Sequence, residues 1–319
     1  MLTLFSTPKP FQGHINIIQR NALQSWKLLH PHAEIILFGD DDGTAAVCQD
    51  LGLRQIPDVL RSPLGTKRLD SIFGQAQEVA RHPLLSYVNC DIILTQDFLS
   101  ALQRVSAWRN PFLMVGRRWD TDITTPIDFS RSDWQEHVVA LAKSKGCQRF
   151  FHNVDYFAFS KGLYPRIPPL VIGRIWWDHW LVGKAYDSGA TVVDVSPVVC
   201  AVHQNHDYGY HPQGMTGVWN DEDAQRNYRL ARQEVQLRTI EDAPFRLKVA
   251  GFQRNRFYFL APLKRSYRKV SRRVRGFLRT YFWHSMLSLT RPIRHALGLK
   301  KDSLAPAVRN AERRHWMDQ

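Results

Sequence analysis

The feature that most restricts the fold of this chain is a regular alternation over its first 116 residues. Short apolar runs take turns with segments whose apolar residues recur every three or four positions. Leu2–Thr7, Glu34–Asp40, Leu84–Leu94 and Phe112–Gly116 read as strands, and 15–29, Thr44–Leu51, 69–81 and Asp97–Trp108 as helices. Gly52 stands where a C-cap glycine ends the second helix. Alternation of this kind demands an α/β fold, a mostly parallel sheet with helices on both faces. Ligands of such sheets gather at the carboxyl ends of the strands, where Thr7, Asp40 and Asp91 fall.

Farther along, Trp134–Lys145, Trp177–Asp187 and Glu222–Ile240 read as helices and Asp155–Ser160 as an aromatic strand. Thr191–Val202 reads as one strand with Pro197 at an edge or bulge. The net charge of +14 is unevenly spread: residues 246–319 hold 19 Lys/Arg against 3 Asp/Glu, whereas 1–245 are nearly neutral. Two units follow, an α/β domain over 1–245 and a basic helical extension over 246–319. The four cysteines include no CxxC pair, and Cys90 and Cys200 sit in apolar runs as buried thiols. The N-terminus lacks the basic region of a signal peptide, and no stretch approaches the ~18 apolar residues of a spanning helix. The expected location is cytoplasmic.

Asn89-Cys90-Asp91 interrupts an apolar run. In a continuous strand the two polar residues would share a face. There they serve either as turn caps or as ligands to a hard cation such as Mg²⁺ or Mn²⁺ that bridges to phosphate. Asp40-Asp41-Asp42-Gly43 ends the second strand; Asp40 suits a base or ribose hydroxyl, and Asp41 and Asp42 suit helix capping. Lys67 and Arg68 stand before a helix, either as donor-phosphate contacts or as a solvated basic loop. Asp178 lies among Trp176, Trp177 and Trp180. That setting would raise its pKa toward general-base work, with the indoles facing a sugar acceptor; the alternative is a helix start with the tryptophans in the core. His203 and His206, with Asp207 and His211, form a run dense in ligand-capable side chains, either completing a cation's shell with Asp91 or, less simply, forming a zinc site.

In order and spacing, these segments resemble the nucleotide-diphospho-sugar glycosyltransferases of the GT-A fold over roughly residues 1–215. The resemblance implies a donor side over about 1–118 and an acceptor side over about 119–215. Asn89-Cys90-Asp91 looks like a variant of the family's D-x-D metal motif, with Asn in place of the first Asp, so Asp91 is the metal ligand and Asn89 a donor-side residue. It further implies a base-binding contact from Asp40, a late metal ligand at His203 or His206, and a catalytic role for Asp178 if the reaction inverts configuration; Thr7, Lys67 and Arg68, read from their strand-end and loop positions, would be further donor contacts. The cofactor would be Mn²⁺ or Mg²⁺, and the partners a nucleotide-diphosphate sugar and a hydroxyl acceptor. The rival reading is a catalytically inactive α/β domain whose basic tail binds membrane or RNA.

Between Leu263 and Tyr281 apolar residues recur at helical spacing with Lys and Arg between them, and Phe282-Trp283 and Met286-Leu287 add apolar material. A basic amphipathic helix over 263–287 suits the anionic inner face of a membrane, where the protein would be peripheral; nucleic acid is the lesser alternative.

Overall fold

In the computed structural model the described residues are 1–207, 209, 213–255, 258–260 and 263. The first half runs β1 (Leu2–Ser6), α1 (Gly13–Lys27), β2 (Glu34–Phe38), α2 (Thr44–Leu51), β3 (Arg54–Ile56), α3 (Leu69–Val79), β4 (Leu84–Val88), β5 (Ile92–Ile93), α4 (Gln96–Trp108) and β6 (Phe112–Val115). The second runs β7 (Arg118–Thr121), α5 (Trp134–Lys145), β8 (Cys147–Gln148), β9 (Tyr156–Ser160), α6 (Trp177–Asp187) and β10 (Thr191–Asp194). It continues through β11 (Ala201–Gln204), α7 (Gly214–Asn220), α8 (Glu222–Glu234), β12 (Phe245–Lys248) and β13 (Gly251–Arg254).

The main sheet has the order β13-β12-β10-β6-β9-β4-β1-β2-β3. Its pairings are parallel except where β9 lies antiparallel between β4 and β6 and where β13 returns along β12. One face packs on α3, α6 and α8 through Phe73, Trp180 and Ala231; the other packs on α1, α2 and α4 through Trp26, Val47 and Phe98. The mostly parallel sheet covered on both sides is therefore present. Cys48, Cys90 and Cys200 are buried free thiols, and Cys147 is exposed.

A second sheet, β5-β11-β7-β8, was not foreseen. It accounts for two corrections. Leu84–Leu94 is not one strand: the chain leaves the main sheet at Val88, turns with Ile92 N–H donating to the Asn89 carbonyl at 3.0 Å, and enters the second sheet as β5. Asn89 and Asp91 thus belong to a turn and do not share a strand face. Thr191–Val202 is likewise two strands, with Pro197 in the turn between sheets. Each segment is mostly apolar on both sides of its break because both sheets bury it, so hydrophobicity alone hides the break.

The helix expected over 222–240 stops at Glu234, and Ile240–Asp242 form a separate single 3₁₀ turn. The boundary at 245/246 also moves. Residues 245–254 form a hairpin whose first strand pairs in parallel with β10, so the sheet claims them, and the compact unit runs to Phe259. The amphipathic segment 263–287 lies outside the described residues save Leu263. No helix among the described residues is long and apolar enough to cross a membrane.

Candidate metal centre

Parallel pairing of β2, β1 and β4 places the loops after these strands along one edge. Asp91 lies in the loop after β4. The second sheet brings His203 to it: β11 pairs antiparallel with β5, setting His203 opposite Ile92, and parallel with β7, setting it opposite Asp120. His206 follows two residues beyond β11, where the Asn205 N–H donates to the Thr121 carbonyl at 3.0 Å. Asp91 Oδ2 is 3.1 Å from His206 Nε2, 3.9 Å from His203 Nε2 and 4.0 Å from Lys9 Nζ. One ligand atom from each of Asp91, His203 and His206 lies within 4.8 Å of the others.

The donor chemistry fits a divalent cation. His206 Nδ1 donates to the Asp207 carbonyl at 2.6 Å, which fixes the ring with Nε2 toward Asp91. Asp91 Oδ2 and the Lys9 ammonium each lie 3.1 Å from Nε2, so carboxylate, imidazole and ammonium meet at one point. His203 Nδ1 lies 3.3 Å from the Asp120 carboxylate, close but without hydrogen-bond alignment, and Nε2 faces Asp91. A carboxylate behind a histidine fixes the ring and tautomer of metal ligands. Asp91 Oδ1 is buried with no hydrogen-bond partner among the described residues. Burial would raise the Asp91 pKa, but His203, His206 and Lys9 together hold it well below the usual carboxylate range. Imidazole and carboxylate donors suit Mn²⁺, Mg²⁺ or zinc. His211, named for a self-contained zinc site, lies outside the described residues.

Lys9 carried no sequence signal beyond its charge. Gln19 of α1 grips its backbone, accepting from Lys9 N–H at 2.7 Å and donating to Lys9 O at 2.8 Å. Burial pulls the Lys9 pKa down against the opposing pull of Asp91. Sequence reasoning also missed the buried Arg118, which meets Asp120 at 2.8 Å and Asp155 at 2.7 Å. Burial would lower its pKa, yet Asp155 and Asp120 raise it above the ordinary value. Arg149 reaches Asp120 from the other side at 2.6 Å. Asp120 therefore has a pKa lowered to about 2, burial being outweighed by His203 and the two arginines. Asn89 joins this network by donating to Asp155 Oδ1 at 2.7 Å. Its side chain braces the turn beside Asp91 and is not part of the cluster.

The other strand-end residues are held by protein partners. Thr7 donates its hydroxyl to the Phe38 carbonyl at 2.9 Å, tying the end of β1 to the end of β2. Asp40 is exposed and pairs with Arg61 at 2.5 Å, which lowers its pKa. Lys67 is buried, donating to the Pro8 carbonyl at 2.8 Å and to Asp41. Asp41 is therefore the lysine's partner and not a side-chain cap, since α2 has none. Lys67 lies so close to Gly39 that a Cβ there would meet its Cε at 2.8 Å, so only glycine, at φ +113°, fits. Arg68 is forked onto Asp70 at 2.6 and 3.0 Å and starts α3.

Asp178 occupies the first turn of α6, its side chain 19% exposed. Burial raises its pKa, partly offset by His179, with the negative charge of Asp155 adding to the rise. The three tryptophans divide. Trp180 is wholly buried and Trp177 nearly so, its ring edge-on to Tyr87 at 5.4 Å. Neither indole can stack on a sugar, a correction to their acceptor-side placement: α6 turns both toward the sheet. Trp176 remains half-buried against Tyr228 at 5.0 Å. Its φ of +86° is rare for a bulky residue, and such strain costs of order 1–3 kcal/mol.

No protein-family model matches the sequence, and no curated protein matches it. Solved structures of similar fold include glucosyl-3-phosphoglycerate synthase from Mycobacterium tuberculosis with Mg²⁺ and uridine-diphosphate, at 14% identity and a TM-score of 0.41, over 65% of this chain and 72% of that one. The mannosyltransferase PcManGT from Pyrobaculum calidifontis with GDP-Man and Mn²⁺ is similar at 14% identity and a TM-score of 0.43, over 66% of this chain and 59% of that one. TarS 1–349 from S. aureus with UDP-GlcNAc reaches a TM-score of 0.48 at 10% identity, over 76% and 69%.

Proposed function

We infer that this protein is a metal-dependent glycosyltransferase, moving a sugar from a nucleotide-diphosphate donor to a hydroxyl acceptor. The observation that carries the reading is the Asp91–His203–His206 cluster, which two separate sheets assemble at the strand-end edge. The order along the chain of Asp40, Asn89-Cys90-Asp91, Asp178 and His203/His206 supports the donor class.

Asp91, His203 and His206 would hold Mn²⁺ or Mg²⁺. When bound, the cation supplies Lewis-acid neutralisation of a diphosphate leaving group. Lys9, beside the cluster, would add a positive charge for donor oxygens, and a ribose hydroxyl or base N–H would compete with Arg61 for the Asp40 carboxylate. Lys67 sits behind this surface and shapes it by holding Pro8 and Asp41. Arg68, committed to Asp70, would act from its unused edge. Asp178 would accept the acceptor hydroxyl's proton in an inverting reaction and orient the acceptor in a retaining one. Its raised pKa brings it nearer that of a base working at neutral pH. Trp176 is the indole left to border the acceptor. A membrane-bound acceptor would suit the basic 263–287 segment; equal liposome flotation with and without residues 260–319 would remove that part.

The test is a thermal-shift screen of nucleoside diphosphates with and without Mn²⁺. Stabilisation by one nucleotide, dependent on the metal and lost in Asp91→Ala, is the expected result. No response to any nucleotide overturns the reading in favour of an inactive α/β domain.

A further inference from the structure

A second concave surface borders the loop that carries Lys67. Its walls are residues 61–68 and the first two turns of α8, and its volume is about 640 Å³, within the ~300–1,000 Å³ of small-molecule sites. Arg61 and Arg68 line it from the loop, Arg226 and Arg229 from the helix. The loop arginines pair with Asp40 and Asp70, but each guanidinium has five N–H donors and retains some for a ligand. The helix arginines have no hydrogen-bond or ion-pair partner among the described residues. Three residues apart, they share one face of α8.

The acids nearby do not cancel this charge. Asp223 is buried and accepts from the Ser62 hydroxyl at 2.7 Å, which clamps the loop to the helix. Asp221 caps α8 and takes Arg174 at 2.6 Å. Glu222 alone faces the cleft exposed. Planar guanidinium forks match phosphate oxygens in pairs, and the clamped wall presents two such forks without protein partners among the described residues. Adjacent residues connect the cleft to the strand ends: Lys67 turns inward to the Pro8 carbonyl and Asp41, whereas Arg68 lines the cleft.

We propose that this cleft binds a phosphate group carried by the acceptor, so that the sugar is transferred to an anionic, phosphate-bearing molecule. The word acceptor rests on the transferase reading; phosphate binding in the cleft does not. The phosphate belongs either to a soluble phosphomonoester or to a lipid headgroup.

Titration calorimetry of the full chain without metal, using glycerophosphate, and sedimentation with phosphatidic-acid vesicles test it. The comparison is with R226E/R229E and with the milder R226Q/R229Q, whose melting curves show whether the fold is kept. The expected result is a loss of about tenfold or more in affinity for one of the two probes in both variants. Mn²⁺ affinity should be unchanged. Loss for glycerophosphate assigns a soluble ligand, and loss for vesicles alone assigns a lipid phosphate. Equal affinity of wild type and variants for both probes overturns the proposal, as does no binding by wild type. Loss in Asp91→Asn instead of the arginine variants also overturns it, because the phosphate then sits at the strand ends. Failure of wild type to bind Mn²⁺ would sink the transferase reading and leave the cleft standing.

Discussion

Asp91→Asn keeps the shape of the side chain and removes its charge. The carboxylate is 13% exposed and faces Lys9, His203 and His206 within 4.0 Å. Removing one member of a buried charged group costs about 3–5 kcal/mol, because the partners stay buried without compensation. The amide oxygen can still accept, so the lower end, about 3 kcal/mol, is the expectation. At about 2–4 °C per kcal/mol for a domain of this size, the metal-free variant should melt about 6–12 °C below wild type. The pH dependence has a definite sign. The folded pKa of Asp91 is depressed, so its stabilisation is present above the unfolded value of about 3.9 and is lost as pH falls through the folded value. The gap between the two proteins should persist through mildly acidic pH and close only in strong acid. Mn²⁺ at about a hundredfold excess over its Kd should add about 2.7 kcal/mol to wild type. The variant, lacking the charged ligand, should gain little. Scanning calorimetry with and without Mn²⁺ reads both effects. A variant that melts with wild type and gains the same increment from Mn²⁺ would refute both the electrostatic account and the metal assignment.

Asp178→Asn should lower turnover by about 10²–10⁴ if the carboxylate is the base. It should also raise Tm at neutral pH, because a buried acid with a raised pKa destabilises the fold once pH exceeds its unfolded value; the gain should vanish below about pH 4. Unchanged turnover would remove it from the mechanism. Asp120→Asn should weaken Mn²⁺ binding by about 10–100-fold through the loss of His203 orientation, measured by competition with a chelating dye. Gly39→Ala combines a left-handed φ with a Cβ 2.8 Å from Lys67 Cε, and urea unfolding should show a loss of about 1–3 kcal/mol. Loss below about 0.5 kcal/mol would mean that Lys67 yields freely, against its burial between Pro8 and Asp41.

Local pattern along the chain was enough to specify the alternating elements, the mostly parallel sheet, and the choice of Asp91, His203, His206 and Asp178 as chemically unusual. Periodicity and side-chain chemistry are properties of nearby residues, and α5 and α6 run over the very residues that their spacing indicated. The second sheet was invisible, because an apolar run that changes sheets is as hydrophobic as one that does not. Only tertiary structure could therefore separate Asn89 from Asp91, sending one to Asp155 and the other to the histidines. The same holds for Trp177 and Trp180, aromatic neighbours of a polar residue that the rotation of α6 commits to the core. Lys9, Arg118 and Asp120 are common residues in unremarkable surroundings along the chain. Their significance arises from distances of 2.7–4.0 Å to groups far away in sequence. Sequence supplied the donor atoms of the candidate centre; the meeting of two sheets decided which of them face one another, because long-range packing sets the geometry on which coordination and charge depend.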